Sequence, residues 1–189
     1  MRKLKLQVQM SVDGFIAGPK GEMDWMVWDW DDALKQYVDE ITEPVDCILL
    51  GRALAQGFIP HWEAVAGNPE AAERSAGIKY TNTHKVVFTK TLDSSPWRNT
   101  VLAPGDLVDE VTRLKQEEGK DIIAYGGTTF VSALIRHALI DEFHLFINPT
   151  AIGNGMTIFA ALDANQKLLL ESSTAFACGI VVNQYRRAI

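Results

Sequence analysis

The 189-residue chain carries 18 lysines and arginines against 24 aspartates and glutamates, a net charge of −6, which excludes a general electrostatic attraction to nucleic acid or to an anionic membrane surface. Its length suits one domain with a substantial core, and a 47% hydrophobic composition excludes a disordered or fibrous chain. No apolar run reaches membrane-spanning length, so a cytoplasmic globular protein is expected.

Residues 2–11 form the first expected strand. Lys3-Leu4-Lys5-Leu6-Gln7-Val8-Gln9-Met10 alternates polar and apolar residues rather than presenting the apolar run of a signal peptide. The stretch from Val12 to Asp24 holds Gly14, Gly18, Pro19 and Gly21 and reads as a long loop of the kind that serves as a functional lid. Trp25, Trp28 and Trp30 follow, interleaved with Asp29, Asp31 and Asp32. The rings either line a flat aromatic pocket or bury in a dimer interface. Asp29 or Asp31 either caps the helix expected at 30–41 or, partly buried beside the rings, acts as a proton donor with a raised pKa.

The apolar stretch 45–51 reads as a buried strand that ends at Gly51-Arg52 and opens a helix at 52–59. A second helical pattern covers 68–78, and strands are expected at 84–89 and 99–103. The helix at 105–118 is the best marked: Leu107, Val108, Val111 and Leu114 form its apolar stripe, with Asp106, Asp109 and Glu110 near its positive end. Asp121–Tyr125 is a short strand that stops at Gly126-Gly127 and turns into a helix at 128–138, with Phe130, Val131, Leu134 and Ile135 on one face. Backbone N–H groups stand bare at such junctions, and adjacent glycines let a phosphate approach the main chain, which makes each junction a natural anion seat.

Alternation of strand and helix through the first two-thirds argues for a largely parallel sheet covered on both faces. Beyond a strand at 140–148, segments 166–175 and 178–187 joined around Gly179 read as a C-terminal antiparallel hairpin. Its apolar positions either complete the core or offer a face for a homodimer. His61, His84, His137 and His144 show no ligand spacing, and Cys47 and Cys178 read as buried reduced thiols, so neither a metal site nor a disulfide is expected.

In order and spacing, several segments together resemble the dihydrofolate reductase fold, most closely the reductase domain of riboflavin biosynthesis (the RibD C-terminal family). They are Met10-Ser11-Val12-Asp13-Gly14-Phe15-Ile16-Ala17, Ile48-Leu49-Leu50-Gly51-Arg52, Val86-Val87-Phe88-Thr89-Lys90, Ala124-Tyr125-Gly126-Gly127, Leu139-Ile140-Asp141-Glu142 and the Pro149–Phe159 loop with Gly153-Asn154-Gly155. The resemblance implies one three-layer α/β/α domain over 1–189, with a mixed, mostly parallel sheet and NADPH lying across its C-terminal edge. It implies cofactor contacts from Gly51, Arg52, Thr89, Lys90, Gly126, Gly127 and Thr128. Arg52 and Lys90 would meet the 2′-phosphate, and main-chain groups near Gln9, Ile16 and Ala17 would bond the nicotinamide carboxamide. On the residues alone, Arg52 and Lys90 also read as solvated surface charges.

On the substrate side, Trp30 stands where the resemblance expects an acid, five residues after Trp25, with Asp29 and Asp31 flanking it. Tyr80–Lys85 lacks the arginine that the resemblance expects for the glutamate tail of folate, and Phe58–Tyr80 is nearly neutral and alanine-rich where a ribose-phosphate site needs several cations. The expected activity is therefore an NADPH-dependent reduction of a small pterin- or pyrimidine-like heteroaromatic. Two rival readings stand beside it: a dimeric ligand-binding protein that keeps the fold without catalysis, and a sugar-nucleotide binder using the same helix ends.

Overall fold

The computed structural model describes residues 1–188. In chain order the elements are β1 (Leu4–Ser11), α1 (Asp32–Thr42), β2 (Val45–Gly51), α2 (Arg52–Gly67), α3 (Arg74–Asn82), β3 (His84–Phe88), β4 (Thr100–Ala103), α4 (Leu107–Gln116), β5 (Asp121–Tyr125), α5 (Thr128–Arg136), β6 (Glu142–Asn148), β7 (Leu168–Ala175) and β8 (Val181–Arg187). Cys47-Ile48-Leu49-Leu50, Val86-Val87 and Ile122-Ile123-Ala124 are buried on every side chain, the pattern of strands covered on both faces. They lie side by side in an eight-stranded sheet of order β4-β3-β2-β5-β1-β6-β8-β7. The pairs from β4 across to β6 are parallel, whereas β8 pairs antiparallel with both β6 and β7.

Alternation assigns the two faces. Leu49, Ala124, Leu6 and Val8 pack with Val111 and Leu114 of α4 and Val131, Leu134 and Ile135 of α5. Ile48, Leu50, Val87 and Ile123 point the other way, against Ala55 and Ile59 of α2 and Tyr80 of α3. On that same side, Leu34, Val38 and Ile41 of α1 cover Phe146, Ile180 and Val182. The result is the expected three-layer α/β/α arrangement.

Two helices depart from the sequence reading. α2 runs through Pro60 to Gly67, and α3 begins at Arg74, the 68–73 stretch forming turns. Proline removes one helical hydrogen bond, but α2 is held from outside. A Cβ at Gly77 of α3 would lie 2.7 Å from the Ala66 nitrogen, so the two helices touch backbone to backbone beyond the proline. Cys47 is buried as read; Cys178 is only half-buried, in the β7–β8 connection, and both thiols are free.

At the N-terminal edge of the sheet three buried or nearly buried cations meet aspartates. Arg2 pairs with Asp46, Lys5 Nζ lies 2.9 Å from Asp121, and Lys115 Nζ lies 2.6 Å from Asp141. Among the described residues no helix is long and apolar enough to cross a membrane.

Candidate active site

The opposite, C-terminal edge is where the chain changes direction. β2 and β5 are neighbours, yet α2 leaves β2 toward one face and α5 leaves β5 toward the other. The region outside the strand ends at such a switch point is the usual ligand position in open α/β sheets. α2 and α5 begin close together there: a Cβ on Gly51 would stand 2.9 Å from Phe130 Cβ of α5, and one on Gly127 would stand 3.9 Å from Leu54 Cβ of α2. Phe130 also packs on Phe88 at the end of β3, with ring centroids 5.0 Å apart.

Glycine caps set these two helices apart from their neighbours, although the Glu73 cap of α3 also lacks a side-chain hydrogen bond. α1 is capped by Asp31 and α4 by Asp106, each carboxylate accepting first-turn N–H bonds. α2 and α5 are capped by Gly51 and Gly127, and neither has a side-chain cap hydrogen bond. Their first-turn N–H groups are thus left for an external acceptor, and the helix dipoles favour an anionic one. Gly127 has φ +105°, a conformation suited to glycine. A Cβ on Gly126 would have only Val8 Cγ2, 4.0 Å away, as a neighbour, so main chain is open to approach at this pair. The arrangement fits a diphosphate.

The remaining expected cofactor residues lie on the same edge. Arg52 and Lys90 are exposed, and among the described residues neither enters an ion pair. Thr89 is buried beyond β3, its hydroxyl accepting from Thr91 N at 3.2 Å, and Thr128 Oγ1 lies 3.6 Å from Met156 Sδ. Ile16 and Ala17 are buried and fastened to a second loop: Ile16 N donates to Met156 O and Met156 N donates to Ala17 O, both at 2.8 Å. Asp13 completes this clasp, accepting from Ser11 Oγ (2.6 Å), Gly153 N (2.7 Å) and Ile152 N (3.2 Å). The Ser11 hydroxyl and the Gly153 amide hold its carboxyl below the ordinary range.

The tryptophan–aspartate segment departs from its pocket reading. Asp31 Oδ1 accepts from Leu34 N at 2.9 Å and Oδ2 from Cys178 N at 2.8 Å. Those backbone donors pull its pKa down, the reverse of the shift a proton donor needs, so Asp31 is a cap. Asp29 is exposed rather than partly buried. Of the three rings, Trp25 and Trp30 have separate partners. Trp25 donates to Glu22 O (3.1 Å), Trp30 donates to Val27 O (2.8 Å) and stacks on Phe146, and Trp28 is 62% exposed.

Residues overlooked in the sequence sit one strand away. Asn148, fully buried at the end of β6, donates to Gln9 Oε1 (3.1 Å) and accepts from Val27 N (2.8 Å), tying β1 to the loop before α1. Gln7 is buried and register-paired with Tyr125, just before the glycine pair. The signal was present in the polar half of β1, since a strand flanked by parallel neighbours is normally apolar on both faces.

Fold and edge together define a dihydrofolate reductase-like α/β protein. A dihydrofolate reductase of Enterococcus faecalis, solved with NADP(H), superposes with a TM-score of 0.63 at 16% identity over 99% of this chain and 97% of that one. The chain belongs to the RibD C-terminal domain family, whose model matches residues 2–182. YyaP, an uncharacterized protein of Bacillus subtilis (strain 168), is 30% identical over 95% of this chain and 92% of its own length. The diaminohydroxyphosphoribosylaminopyrimidine deaminase/5-amino-6-(5-phosphoribosylamino)uracil reductase of Thermotoga maritima has a TM-score of 0.70 at 17% identity, covering 99% of this chain and 57% of that one.

Proposed function

We propose that this protein is a cytoplasmic NADPH-dependent oxidoreductase that reduces a small heteroaromatic, pterin- or pyrimidine-like substrate. The observation that carries the reading is the pair of glycine-capped, side-chain-free helix N-termini of α2 and α5 at the β2/β5 switch point. Gly51, Gly126, Gly127 and Thr128 would hold the diphosphate, with Arg52, Thr89 and Lys90 around the 2′-phosphate end. The main chain of Gln9, Ile16 and Ala17 would orient the nicotinamide, which supplies a hydride when bound. The protein's own contribution would be to position the two rings and exclude water; the clasp between Asp13 and the 152–153 turn would close one side.

Titration with NADPH and NADH, followed by tryptophan fluorescence, tests the reading: micromolar NADPH binding, tighter than NADH, is expected. Arg52→Ala should erase the preference for NADPH, and an unchanged preference would remove the 2′-phosphate role. Failure to bind either nucleotide at millimolar concentration would favour a non-catalytic binding protein. The commitment of Asp31 to capping and the place of Trp30 against Phe146 support that alternative. We further propose a homodimer formed through β7, one of the two edge strands, where Leu169 and Leu170 are 42% and 58% exposed; light scattering would show a monomer if this is wrong.

A further inference from the structure

β1 lies between two parallel neighbours, β5 and β6. One of its faces is apolar throughout, Leu4, Leu6, Val8 and Met10 joining the core under α4 and α5. The other carries Lys5, Gln7, Gln9 and Ser11. Three of these have partners that account for them. Lys5 pairs with Asp121 and donates to Ile41 O at 3.2 Å. Ser11 Oγ donates to Asp13 and accepts from Phe15 N. Gln9 Oε1 accepts from Asn148.

Gln7 is different. It is 8% exposed, and its Oε1 is buried with no hydrogen-bond partner. Its register neighbour on β6 is His144, whose Nδ1 lies 2.7 Å from the Tyr37 hydroxyl and whose Nε2 lies 3.8 Å from Glu142 Oε2. Native interiors rarely leave a buried acceptor unmet, and the unpartnered Gln7 Oε1 marks a place built to meet something else. That place adjoins the cofactor seat, because the neighbour of Gln7 on the other side is Tyr125, which precedes Gly126-Gly127.

We propose that Gln7, with Gln9 beside it, is the specificity-determining pair that reads the substrate ring, replacing a carboxylate by two neutral amides. The inference rests on the reductase reading above. Gln7 offers a carbonyl acceptor. Gln9, its own oxygen occupied by Asn148, offers its NH₂ group, and the two side chains leave the same strand face about 6.5–7 Å apart. A lactam presents N–H and C=O side by side and suits such a donor–acceptor pair. A protonated amidine-type ring requires a carboxylate to neutralise it, and neither amide supplies one. The pair therefore selects uncharged lactam rings over cationic aminopyrimidines.

Uracil and 2,4-diaminopyrimidine serve as probes, titrated by ligand-observed NMR against protein saturated with NADP⁺. Wild type should prefer uracil. Gln7→Leu should weaken uracil roughly tenfold, the loss of one hydrogen bond of about average strength, with NADP⁺ affinity unchanged. Gln7→Glu should reverse the preference in favour of 2,4-diaminopyrimidine. Thermal melts establish that each variant folds, and if Gln7→Glu does not, Gln7→Leu decides alone. Equal uracil affinity in wild type and Gln7→Leu, a wild-type preference for 2,4-diaminopyrimidine, or binding of neither probe to the NADP⁺ complex would overturn the proposal. Absence of NADP⁺ binding in wild type would instead overturn the reductase reading beneath it.

Discussion

Gly155 is the position where a single methyl group tests how the two loops over the site are joined. A Cβ there would lie 2.3 Å from the Ala17 carbonyl oxygen, 3.0 Å from Ile152 Cδ1 and 3.1 Å from Phe15 Cβ. The nearest atom is backbone and has no rotamer to escape into. Restoring an ordinary C···O separation of about 3.3 Å requires the loops to part by about 1 Å. The Ile16–Met156 and Met156–Ala17 hydrogen bonds, each 2.8 Å, would then exceed bonding distance. At about 1 kcal/mol for each bond, Gly155→Ala should cost about 2 kcal/mol, a fall in Tm of about 4–8 °C for a chain of this size. Should the loop open locally instead, the same loss appears as faster hydrogen exchange at the Ile16 and Met156 amides. NADPH affinity should fall with it, because Ile16 and Ala17 move. Gly57→Ala is the matched control: no atom lies within 4 Å of a Cβ there, and alanine within α2 should stabilise by about 0.5–1 kcal/mol. Unchanged melting together with unchanged exchange at the two amides in Gly155→Ala would refute the clasp.

Three further predictions concern stability. Asp31→Ala removes both the α1 cap and the tether to Cys178 N and should lower Tm, whereas Asp31→Asn keeps an acceptor and should lower it less; equal losses would argue against the cap. Glu142 is held at about 2, from 4.5, by His144 and then by Lys3. Its folded pKa is depressed, so its contribution is present above pH 4.5 and is lost as pH falls toward 2; Glu142→Gln should flatten the acid limb over that window, and an unaltered slope in acid melts would contradict this. Lys85 is 1% exposed, donating to Thr81 O and Thr83 O, and burial lowers its pKa. The charged form is penalised by folding, so wild-type stability should rise as pH climbs from the folded pKa toward 10.5, and Lys85→Met should lose that rise in denaturant titrations at stepped pH.

The parallel half of the sheet was legible because its central strands have nowhere to place polar residues: Ile48-Leu49-Leu50 and Ile122-Ile123-Ala124 announce double-sided burial directly. The glycine-marked junctions were legible for a related reason, since a strand ending at Gly51 or Gly126-Gly127 and opening a helix leaves few local alternatives. The end of α2 was not, because local preference stops a helix at Pro60 while the close approach of Gly77 to Ala66 carries it on. Asp31 illustrates another limit. Its neighbours in sequence permit either a cap or a proton donor, and the choice is made by Cys178 N, 147 residues away. Gln7 was hidden by regularity, for polar–apolar alternation is what a half-exposed strand shows; only the presence of β5 and β6 on either side turns it into an anomaly.

The cation–aspartate pairs at the N-terminal edge carry a consequence for kinetics. Each joins segments distant in sequence, Arg2 with Asp46, Lys5 with Asp121 and Lys115 with Asp141. The first two span the order of the central strands, so neither can close until β1 has found its neighbours. Contacts that form after the rate-limiting step leave the folding rate alone and slow the reverse reaction. An edge that closes after that step would act as a latch on the finished sheet, setting how long a molecule stays native rather than how fast it becomes so, and a chevron tests this. In a chevron for Lys5→Met the unfolding arm should rise while the folding arm stays in place.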